Sequence, residues 1–394
     1  MKTLKIYIIG GGPAGSATAL SLSKIAASSQ RIQFKIVQVC GRANTHHAIG
    51  ETIPPAATEY LRELGLEDIL NEQHIPCPGS ISVWGNEQAG FNDFFYTPVG
   101  QGYHLDRNMF NQKMLQAAES SAVTLMHDTK LSSIKQNQQT NQLELKLETT
   151  KDTFVKQADF VVDATGIQAK VARSLGVARN QYDAVISACA IYSLDSEKTN
   201  AAHTLVCAVK DGWWYGTQLP NNKALISFCS DTETLKKIKA DKPKHWHQLL
   251  LNSTWFYQSC CEQFATKIQQ ANEIDIRVAP SAILSCVIGT HWLAVGDAAC
   301  SYDSITSAGI TKALQQGLSA GKAIMQLFIE NKTEALSSYQ QDVFTAFNEY
   351  LELHQTLYHS EQRFNESLFW QRRQFKNLSI NLPKNGNRSE RKLI

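Results

Sequence analysis

A cluster of glycines close to the start of the chain is the first feature whose residue types and spacing predict chemistry. Gly10, Gly12 and Gly15 fit the pattern G-x-G-x-x-G directly after a short apolar run. In this pattern the first glycine permits a tight turn, the second lets the backbone approach a pyrophosphate, and the third lets a helix pack closely on the strand. Because amide groups at a helix start attract phosphate, we expect a dinucleotide here, although a turn that needs glycine only for packing has the same pattern. The residues expected to bind it are Gly10, Gly12, Pro13, Ala14 and Gly15.

A second motif lies far along the chain, where a carboxylate follows a glycine at the end of an apolar run. Asp297 comes directly after Gly296, and a long helical pattern opens shortly afterwards at Gly309 and Ile310. A carboxylate at a strand end can accept hydrogen bonds from a ribityl chain, and a helix N-terminus can stabilise negative charge on a flavin ring. Asp297 as a helix N-cap is the alternative. Together with the glycine turn, this motif predicts FAD, bound in part by Asp297, Gly309 and Ile310.

The second strand of the expected nucleotide-binding unit ends without the acidic residue that usually holds the adenosine ribose. Its last residues are Val39, Cys40, Gly41 and Arg42. Cys40 therefore stands where the acid is expected. Two consequences remain open, namely a weaker hold on the adenosine end or a replacement contact from Arg42 and backbone groups.

Composition excludes several classes of protein. The 394 residues carry 38 basic and 36 acidic side chains, a formal net charge of +2, which does not suit a nucleic-acid-binding protein. The nine cysteines form no C-x-x-C pair, and we find no His/Cys spacing typical of zinc. No apolar run is long enough to span a membrane. We therefore expect a soluble cytoplasmic protein with reduced cysteines, no membrane contact and no metal site.

The surrounding elements predict how these motifs are positioned. Strand, glycine turn, helix and strand over 4–39 form a βαβ unit, whereas 183–284 contains mostly short strand patterns with one helical stretch near 233–272. We predict an α/β fold in which a Rossmann-type, GR2-like FAD-binding domain carries an inserted, mostly antiparallel β-sheet substrate domain, followed by C-terminal helices. The predicted limits are 1–76, 101–170 and 285–335 for the discontinuous FAD-binding domain, 77–100 and 171–284 for the substrate domain, and 336–394 for the C-terminal helical segment and tail.

The chain resembles the FAD monooxygenases of the aromatic-hydroxylase type, and within them the branch of the flavin-dependent halogenases. The resemblance covers nearly the whole chain and implies FAD as cofactor and O2 as co-substrate. It also implies that Arg107 lies close to the flavin and that Glu51 borders it, as a polar contact or general base; capping the next helix is the alternative for Glu51. The matching segments are IIGGGPAG (8–15), IGETIPP (49–55), YHLDRNMFNQKML (103–115), DFVVDATG (159–166), GWWYGTQLP (212–220), GDAACSYDSITSAGI (296–310) and RFNESLFWQRR (363–373).

The chain departs from the halogenase pattern at residues that matter for halogenation. Ser82 stands near the place of the lysine that hands the hypohalous species to the substrate, Thr306 replaces a glutamate, and Ser304 replaces a proline. The double-tryptophan motif also differs, over 215–220. Serine and threonine cannot replace an ammonium charge. We therefore expect oxygen transfer to an electron-rich ring rather than halogenation of the usual kind.

Within this superfamily the chain is most similar to the LodB/GoxB group, the maturation flavoproteins of cysteine tryptophylquinone amino acid oxidases. The shared residues include Gly50, Glu51 and Thr52, then Trp84 with Gly85, and Phe369 with Trp370. This resemblance implies a monooxygenase-like enzyme whose substrate is a tryptophan in a partner oxidase precursor. The alternatives are a small-molecule aromatic hydroxylase, an atypical tryptophan halogenase, and a flavin-binding maturation chaperone without turnover. Reduction of FAD by NAD(P)H directly or by a separate flavin reductase also remains open.

Further side chains near these motifs have two interpretations each. His46, His47 and His104 are candidate general bases, although a surface or satisfied core histidine is the simpler interpretation. The aromatic residues at 213–215 either line a pocket under the flavin or belong to the core of a central strand.

Overall fold

The computed structural model describes residues 2–27, 32–42, 52–71, 73–94, 97–98, 100–137, 142–194 and 202–374. Within these ranges the strands are β1 (Lys2–Ile9), β2 (Ile32–Val39), β3 (Thr52–Ile53), β4 (Ile75–Cys77), β5 (Gly79–Val83), β6 (Gly90–Asp93), β7 (Gly102–His104), β8 (Thr124–Met126), β9 (Lys130–Asn137), β10 (Gln142–Glu148), β11 (Thr153–Ala158), β12 (Phe160–Asp163), β13 (Arg179–Ser193), β14 (Thr204–Val209), β15 (Gly212–Leu219), β16 (Lys223–Ser230), β17 (Asp275–Leu284), β18 (Ile288–Gly289), β19 (Trp292–Ala294) and β20 (Cys300–Ser301). The helices are α1 (Pro13–Ala26), α2 (Ala56–Leu64), α3 (Arg107–Ser120), α4 (Lys170–Ser174), α5 (Thr232–Ile238), α6 (Pro243–Asn252), α7 (Thr254–Gln263), α8 (Gly309–Ile329), α9 (Glu334–Ser360) and α10 (Leu368–Gln374).

A six-stranded sheet in the order β18-β19-β12-β1-β2-β8 carries the glycine turn at the end of β1. Its strands run parallel except for β18, which pairs antiparallel with β19 at one edge. At the centre Ile6 of β1 pairs with Ile36 of β2 on one side and with Phe160 of β12 on the other. These side chains are buried, which explains why the strands are continuous apolar runs in the sequence.

Helices α1 and α8 pack against each other through small residues and run in the same direction. A Cβ atom at Gly317 would lie 2.6 Å from Cβ of Ala17, and one at Gly321 would lie 2.3 Å from Oγ of Ser21. Only glycine permits an approach this close. Because Ala17 meets Gly317 and Ser21 meets Gly321, residue numbers rise together along the two helices. Their N-termini therefore lie at the same end of the pair.

The strand patterns predicted within 183–284 belong to an eight-stranded sheet in the order β20-β17-β13-β16-β15-β14-β5-β6. It is antiparallel except where β14 pairs parallel with β5. Side chains alternate between its faces along β15. Trp214 packs against Trp246 and Phe256 of α6 and α7, whereas Trp213 lies in a different cluster with Tyr358 of α9. One face is thus covered by α5–α7 and the other faces the C-terminal helices.

Two small antiparallel sheets complete the fold, one formed by β11-β10-β9 and one by β3-β7-β4. The second carries Thr52 and His104 on neighbouring strands, which bear on the site described below. Within the described ranges, no helix has both the length and the apolar character needed to cross a membrane.

The predicted fold class is confirmed, with α8 beginning at Gly309 as expected. One prediction needs refinement, because the single helical stretch expected near 233–272 consists of three short helices, α5 to α7. The domain limits remain a prediction. Strand β20 (Cys300–Ser301) lies inside the predicted FAD-binding segment yet pairs with β17 of the eight-stranded sheet, so the two units share this short stretch of chain.

Candidate functional site

The glycine turn is shaped by two close approaches of the backbone. Gly10 has a φ of +136°, and a Cβ atom there would lie 2.1 Å from the carbonyl oxygen of Ala164. A Cβ atom at Gly15 would lie 2.2 Å from the carbonyl oxygen of Gly10. At Gly12, in contrast, a Cβ atom would meet nothing within 4 Å. Gly10 and Gly15 therefore serve the fold, whereas Gly12 leaves open space at the start of α1, as a bound pyrophosphate requires.

The N-terminus of α1 offers free backbone donors. Gly12 is the N-cap, Pro13 occupies the first helical position, and no described side chain caps the helix. The first turn, which includes the buried Ala14, contains no acidic residue. The first amide groups of a helix have no intrahelical acceptor, and together with the helix dipole they favour an anion.

Gln38 of β2 supports this turn through hydrogen bonds, a role that the sequence analysis missed. The side chain is fully buried on β2, and its Nε2 donates to the carbonyl oxygen of Gly10 at 3.0 Å and to Oγ of Ser16 at 3.2 Å. It thus ties the second strand to both ends of the glycine turn. The signal in the sequence is a polar residue inside the apolar run of β2.

Cys40, which stands at the end of β2 where the acid is expected, carries no negative charge. Cys40 is buried, and burial raises the pKa of its thiol to about 11, so the group is neutral at physiological pH. Two residues further on, Arg42 is exposed. A contact of Arg42 with the adenosine end stays a prediction.

The second motif meets the first in space. Gly296 has a φ of +59°, and a Cβ atom there would lie 2.6 Å from Cβ of Ala14 on α1. Its amide donates to Oε1 of Gln316 on α8 at 2.8 Å. The turn that carries Asp297 is therefore seated between the N-terminal parts of α1 and α8.

The N-terminus of α8 resembles that of α1. Gly309 is its first residue, a Cβ atom there would meet nothing within 4 Å, and among the described side chains none caps the helix. Ile310 behind it is buried. Because α1 and α8 are parallel, two uncapped, positive helix ends with open glycines lie on the same side. The two helix ends fit FAD, and the contacts of its phosphates with α1 and of its flavin with α8 stay predictions.

Asp297 is held by two cations that the sequence analysis did not identify. Its Oδ1 accepts from Nζ of Lys312 at 2.7 Å, and its backbone carbonyl accepts from the guanidinium of Arg179 at 3.0 Å. The carboxylate remains 46% exposed, whereas Lys312 is buried. Asp297 does not cap α8, whose N-cap is Ala308. This geometry is compatible with the predicted contact to a ribityl chain.

The structure gives only part of the surroundings expected for Arg107 and Glu51. Arg107 is half-buried at the first position of α3, behind the N-cap Asp106, whose side chain accepts from the amide of Met109 at 3.0 Å. Its place beside the flavin stays a prediction. Glu51, the candidate catalytic residue, lies outside the described residues, as do His46 and His47.

His104 is a core histidine in a network of hydroxyl groups. It is fully buried, and burial lowers its pKa to about 4, so it is neutral and unsuited to act as a general base near pH 7. Its Nε2 lies 2.7 Å from the carbonyl oxygen of Ala202 and must donate to it, so Nδ1 is an acceptor. Oγ1 of Thr52 lies 2.9 Å from that Nδ1 and 2.9 Å from the hydroxyl of Tyr215.

A buried ion-pair network lies behind the turn that follows Asp297. Asp303 accepts from the hydroxyl of Tyr358 at 2.7 Å, and Asp183 is held by Arg373 at 2.8 Å. His354 lies between the two carboxylates. The ligand atoms of Asp183, Asp303 and His354 lie within 4.8 Å of one another, a spacing that a metal ion can bridge. Because Tyr358 already donates to Asp303 and Arg373 to Asp183, we interpret this cluster as an ion-pair network.

The positions compared with halogenases lie in different parts of the fold. Ser82 is half-buried on β5, in register with Val206 of β14. Thr306 lies in the turn before α8, and its hydroxyl donates to the carbonyl oxygen of Asp303 at 3.2 Å. Neither position carries a charge.

Comparison with known proteins identifies the family. The model of the FAD binding domain family matches residues 3–347. The chain belongs to this family. The match, together with the similarity to the relative described next, confirms the predicted resemblance at the level of FAD-dependent oxidoreductases.

Individual relatives match over nearly the whole chain. The putative FAD-dependent oxidoreductase LodB of Marinomonas mediterranea is 26% identical over 376 residues, which cover 95% of this chain and 97% of LodB. The flavin-dependent halogenase CmlS shares the fold with a TM-score of 0.79 and 23% identity, over 96% of this chain and 68% of CmlS. QhpG, a peptidyl tryptophan dihydroxylase essential for tryptophylquinone cofactor biogenesis, shares it with a TM-score of 0.75 and 22% identity, over 96% of this chain and 81% of QhpG.

Proposed function

We propose that this protein is an FAD-dependent monooxygenase that oxygenates a tryptophan in the precursor of a quinone-cofactor amino acid oxidase, during formation of cysteine tryptophylquinone. The observation that carries the proposal is the pair of parallel, uncapped helix ends at Gly12 and Gly309, joined by the contact between Ala14 and Gly296. This arrangement suits FAD, and it stands in a chain similar to LodB from end to end.

Each part of the site has a distinct task in this proposal. The amides that follow Gly12 bind the pyrophosphate, Asp297 accepts from the ribityl hydroxyls, and the start of α8 at Gly309 and Ile310 faces the flavin ring. When bound, FAD supplies the oxygen-transfer chemistry, with O2 as co-substrate and reducing equivalents from NAD(P)H or a separate flavin reductase. The protein holds the aromatic ring of the substrate and excludes water. Arg107 and Glu51 border this space in the proposal.

The relatives support a protein substrate, and the charges that are missing here support hydroxylation over halogenation. QhpG acts on a peptidyl tryptophan, and LodB is similar to this chain over nearly its whole length. Ser82 and Thr306 are neutral where the halogenase pattern has a lysine and a glutamate. Without the ammonium group that holds a hypohalous species, hydroxylation is the better-supported outcome.

Halogenation or hydroxylation of a free aromatic compound is the second candidate, favoured by the fold shared with CmlS. The purified protein with reduced flavin, O2, halide and free indoles tests it. A halogenated or hydroxylated indole supports this candidate over a peptide substrate. An unmodified indole together with a modified precursor excludes it.

Co-expression tests the proposal directly. The precursor is produced with the unaltered protein, with the Gly12→Trp variant, or alone, and its tryptophan is examined by peptide mass spectrometry. Because Gly12 faces open space at the start of α1, an indole there should block FAD without disturbing the fold. Leu251→Trp, at an exposed position of α6, is the matched control. We expect oxygen on the tryptophan with the unaltered protein and the control only.

The same variants distinguish an enzyme that oxygenates the precursor from a maturation chaperone without turnover. A pure chaperone should support maturation equally well after Gly12→Trp, provided that the variant still binds the precursor. An unmodified tryptophan with the unaltered protein, or equal modification in its absence, contradicts the proposed function.

A further inference from the structure

Lys312 is a cation at a position where its surroundings disfavour positive charge. It is the fourth residue of α8, close to the positive end of the helix dipole, and its side chain is only 4% exposed. A buried ammonium group is costly unless it is paired and hydrogen-bonded. Two unfavourable effects therefore act on this lysine, and its contacts must compensate for both.

The partners of Lys312 all lie in the short segment from Asp297 to Tyr302. The ammonium group donates to Oδ1 of Asp297 at 2.7 Å and to the backbone carbonyl of Cys300, and it lies 4.3 Å from the centre of the Tyr302 ring. These contacts use the donors of the ammonium group and the attraction of a cation to an aromatic face. Lys312 thus contacts this segment at three residues, from the buried side.

A second cation holds the backbone of the same turn from another element. Arg179, at the start of β13, donates to the carbonyl oxygens of Asp297 at 3.0 Å and Ala298 at 3.2 Å, and to Oγ of Ser301 at 2.8 Å. Asp297 is thus fixed at its backbone by β13 and at its side chain by α8. A group that is fixed in this way before a ligand arrives binds it with little loss of freedom.

The ion pair also determines the charge that a flavin would meet. The Asp297 carboxylate is 46% exposed and adjoins the start of α8, where it would oppose the positive helix end if it had no partner. Lys312 cancels that charge. A flavin gains negative charge on reduction, so an unopposed helix end favours the reduced form.

We propose that Lys312 is a positioning residue for the flavin: it holds Asp297 for the ribityl chain and cancels its charge, so that the start of α8 stabilises the reduced ring. This inference rests on the proposed function, because it assumes FAD at this site. It adds a residue that lies in none of the sequence motifs, and it concerns the affinity and reduction potential of the cofactor, both of which are measurable without the oxidase precursor.

The test compares Lys312→Met with Lys322→Met, which removes an exposed lysine from the same helix, where it pairs with Glu63 on the surface. Apoprotein of each variant is titrated with FAD, and the midpoint potential of the bound flavin is measured against reference dyes. For Lys312→Met we expect about tenfold weaker binding of oxidised FAD. The affinity for reduced FAD should fall about tenfold further than the affinity for oxidised FAD. This difference equals a midpoint potential lower by about 30 mV for a two-electron couple. The control should match the unaltered protein.

Lys312→Arg keeps the inference testable if Lys312→Met does not fold, and a second comparison tests whether Lys312 acts through Asp297. Lys312→Arg retains the charge and should keep the potential near its original value. In the Asp297→Asn background, Lys312→Met should have a much smaller effect on FAD affinity, because Lys312 acts through Asp297. Equal, additive losses in both backgrounds would contradict this.

The outcomes also separate this inference from the proposed function. If the unaltered chain binds FAD and Lys312→Met binds both redox forms equally well, with only its melting temperature lowered, then Lys312 is merely structural. If the unaltered chain binds no FAD, the proposed function itself is wrong, and so is the role inferred for Lys312.

Discussion

Nε2 of His354 lies 3.3 Å from Oδ2 of Asp303 and 3.6 Å from Oδ2 of Asp183, so that one imidazole on α9 joins two carboxylates from different parts of the fold. Asp303 precedes the start of α8, and Asp183 belongs to β13 of the eight-stranded sheet. Arg373 of α10 holds Asp183 from the other side. Buried charges therefore connect the C-terminal helices both to the turn before α8 and to the eight-stranded sheet.

This network predicts a specific loss of stability at alkaline pH. Burial favours the neutral imidazole, but Asp183 and Asp303 outweigh it and raise the pKa of His354 to about 9. In the unfolded chain the pKa returns to about 6.5. A raised pKa in the folded state gives stability that is complete below pH 6.5 and is lost as pH rises towards 9. The loss should be on the order of 3 kcal/mol.

Urea unfolding between pH 6 and pH 9.5 measures this loss. His354→Gln removes the titrating charge, so its free energy of unfolding should change much less over the same range. Equal pH dependence in both proteins would show that His354 does not carry this effect.

A second prediction concerns the hydroxyl of Tyr358, which is fully buried. It accepts from Nε1 of Trp213 at 3.1 Å and donates to Asp303 at 2.7 Å. Tyr358→Phe leaves the indole N–H and part of the carboxylate without a partner, which should lower the free energy of unfolding by about 1–3 kcal/mol. Tyr60→Phe, on α2, is the control and should lower the free energy of unfolding by less than about 0.5 kcal/mol. Similar values for the two variants would contradict the account of this network.

A third prediction separates the glycines of the first motif. Gly15→Ala brings a Cβ atom to 2.2 Å from a backbone oxygen, so it should lower the melting temperature of the protein even without FAD. Gly12→Ala adds a methyl group to open space, so it should leave that melting temperature unchanged and weaken FAD binding. Thermal unfolding with and without FAD distinguishes the two effects. A destabilised Gly12→Ala apoprotein would show that the space at Gly12 is not available to a ligand.

The sequence predicted the glycine turn correctly because local geometry there restricts the residue type. The close approach of Gly15 to Gly10 leaves room only for glycine, and the pattern is visible without any structure. The start of α8 at Gly309 has no such restriction, since a Cβ atom there would meet nothing within 4 Å, and a small residue before a long apolar pattern indicated it instead.

The contacts that the sequence could not reveal join residues that are distant along the chain. Asp183 and Arg373 are 190 residues apart, and Arg179 and Asp297 are 118 apart. A charged residue in a sequence is usually an exposed one, so nothing in its neighbours indicates that it is buried. No feature of the sequence indicates that Lys312 is buried, although it lies only two residues beyond Ile310, the end of the motif that predicted the flavin.

The measurement that tests the central claim most directly uses purified protein, FAD, a reductant and isotopically labelled dioxygen with the unmodified oxidase precursor. Peptide mass spectrometry then follows the precursor tryptophan in the presence and absence of the enzyme. Our account predicts that labelled oxygen appears on that tryptophan only when FAD, O2 and this protein are all present. A precursor whose tryptophan stays unlabelled under these conditions, with FAD bound to the protein, would contradict it.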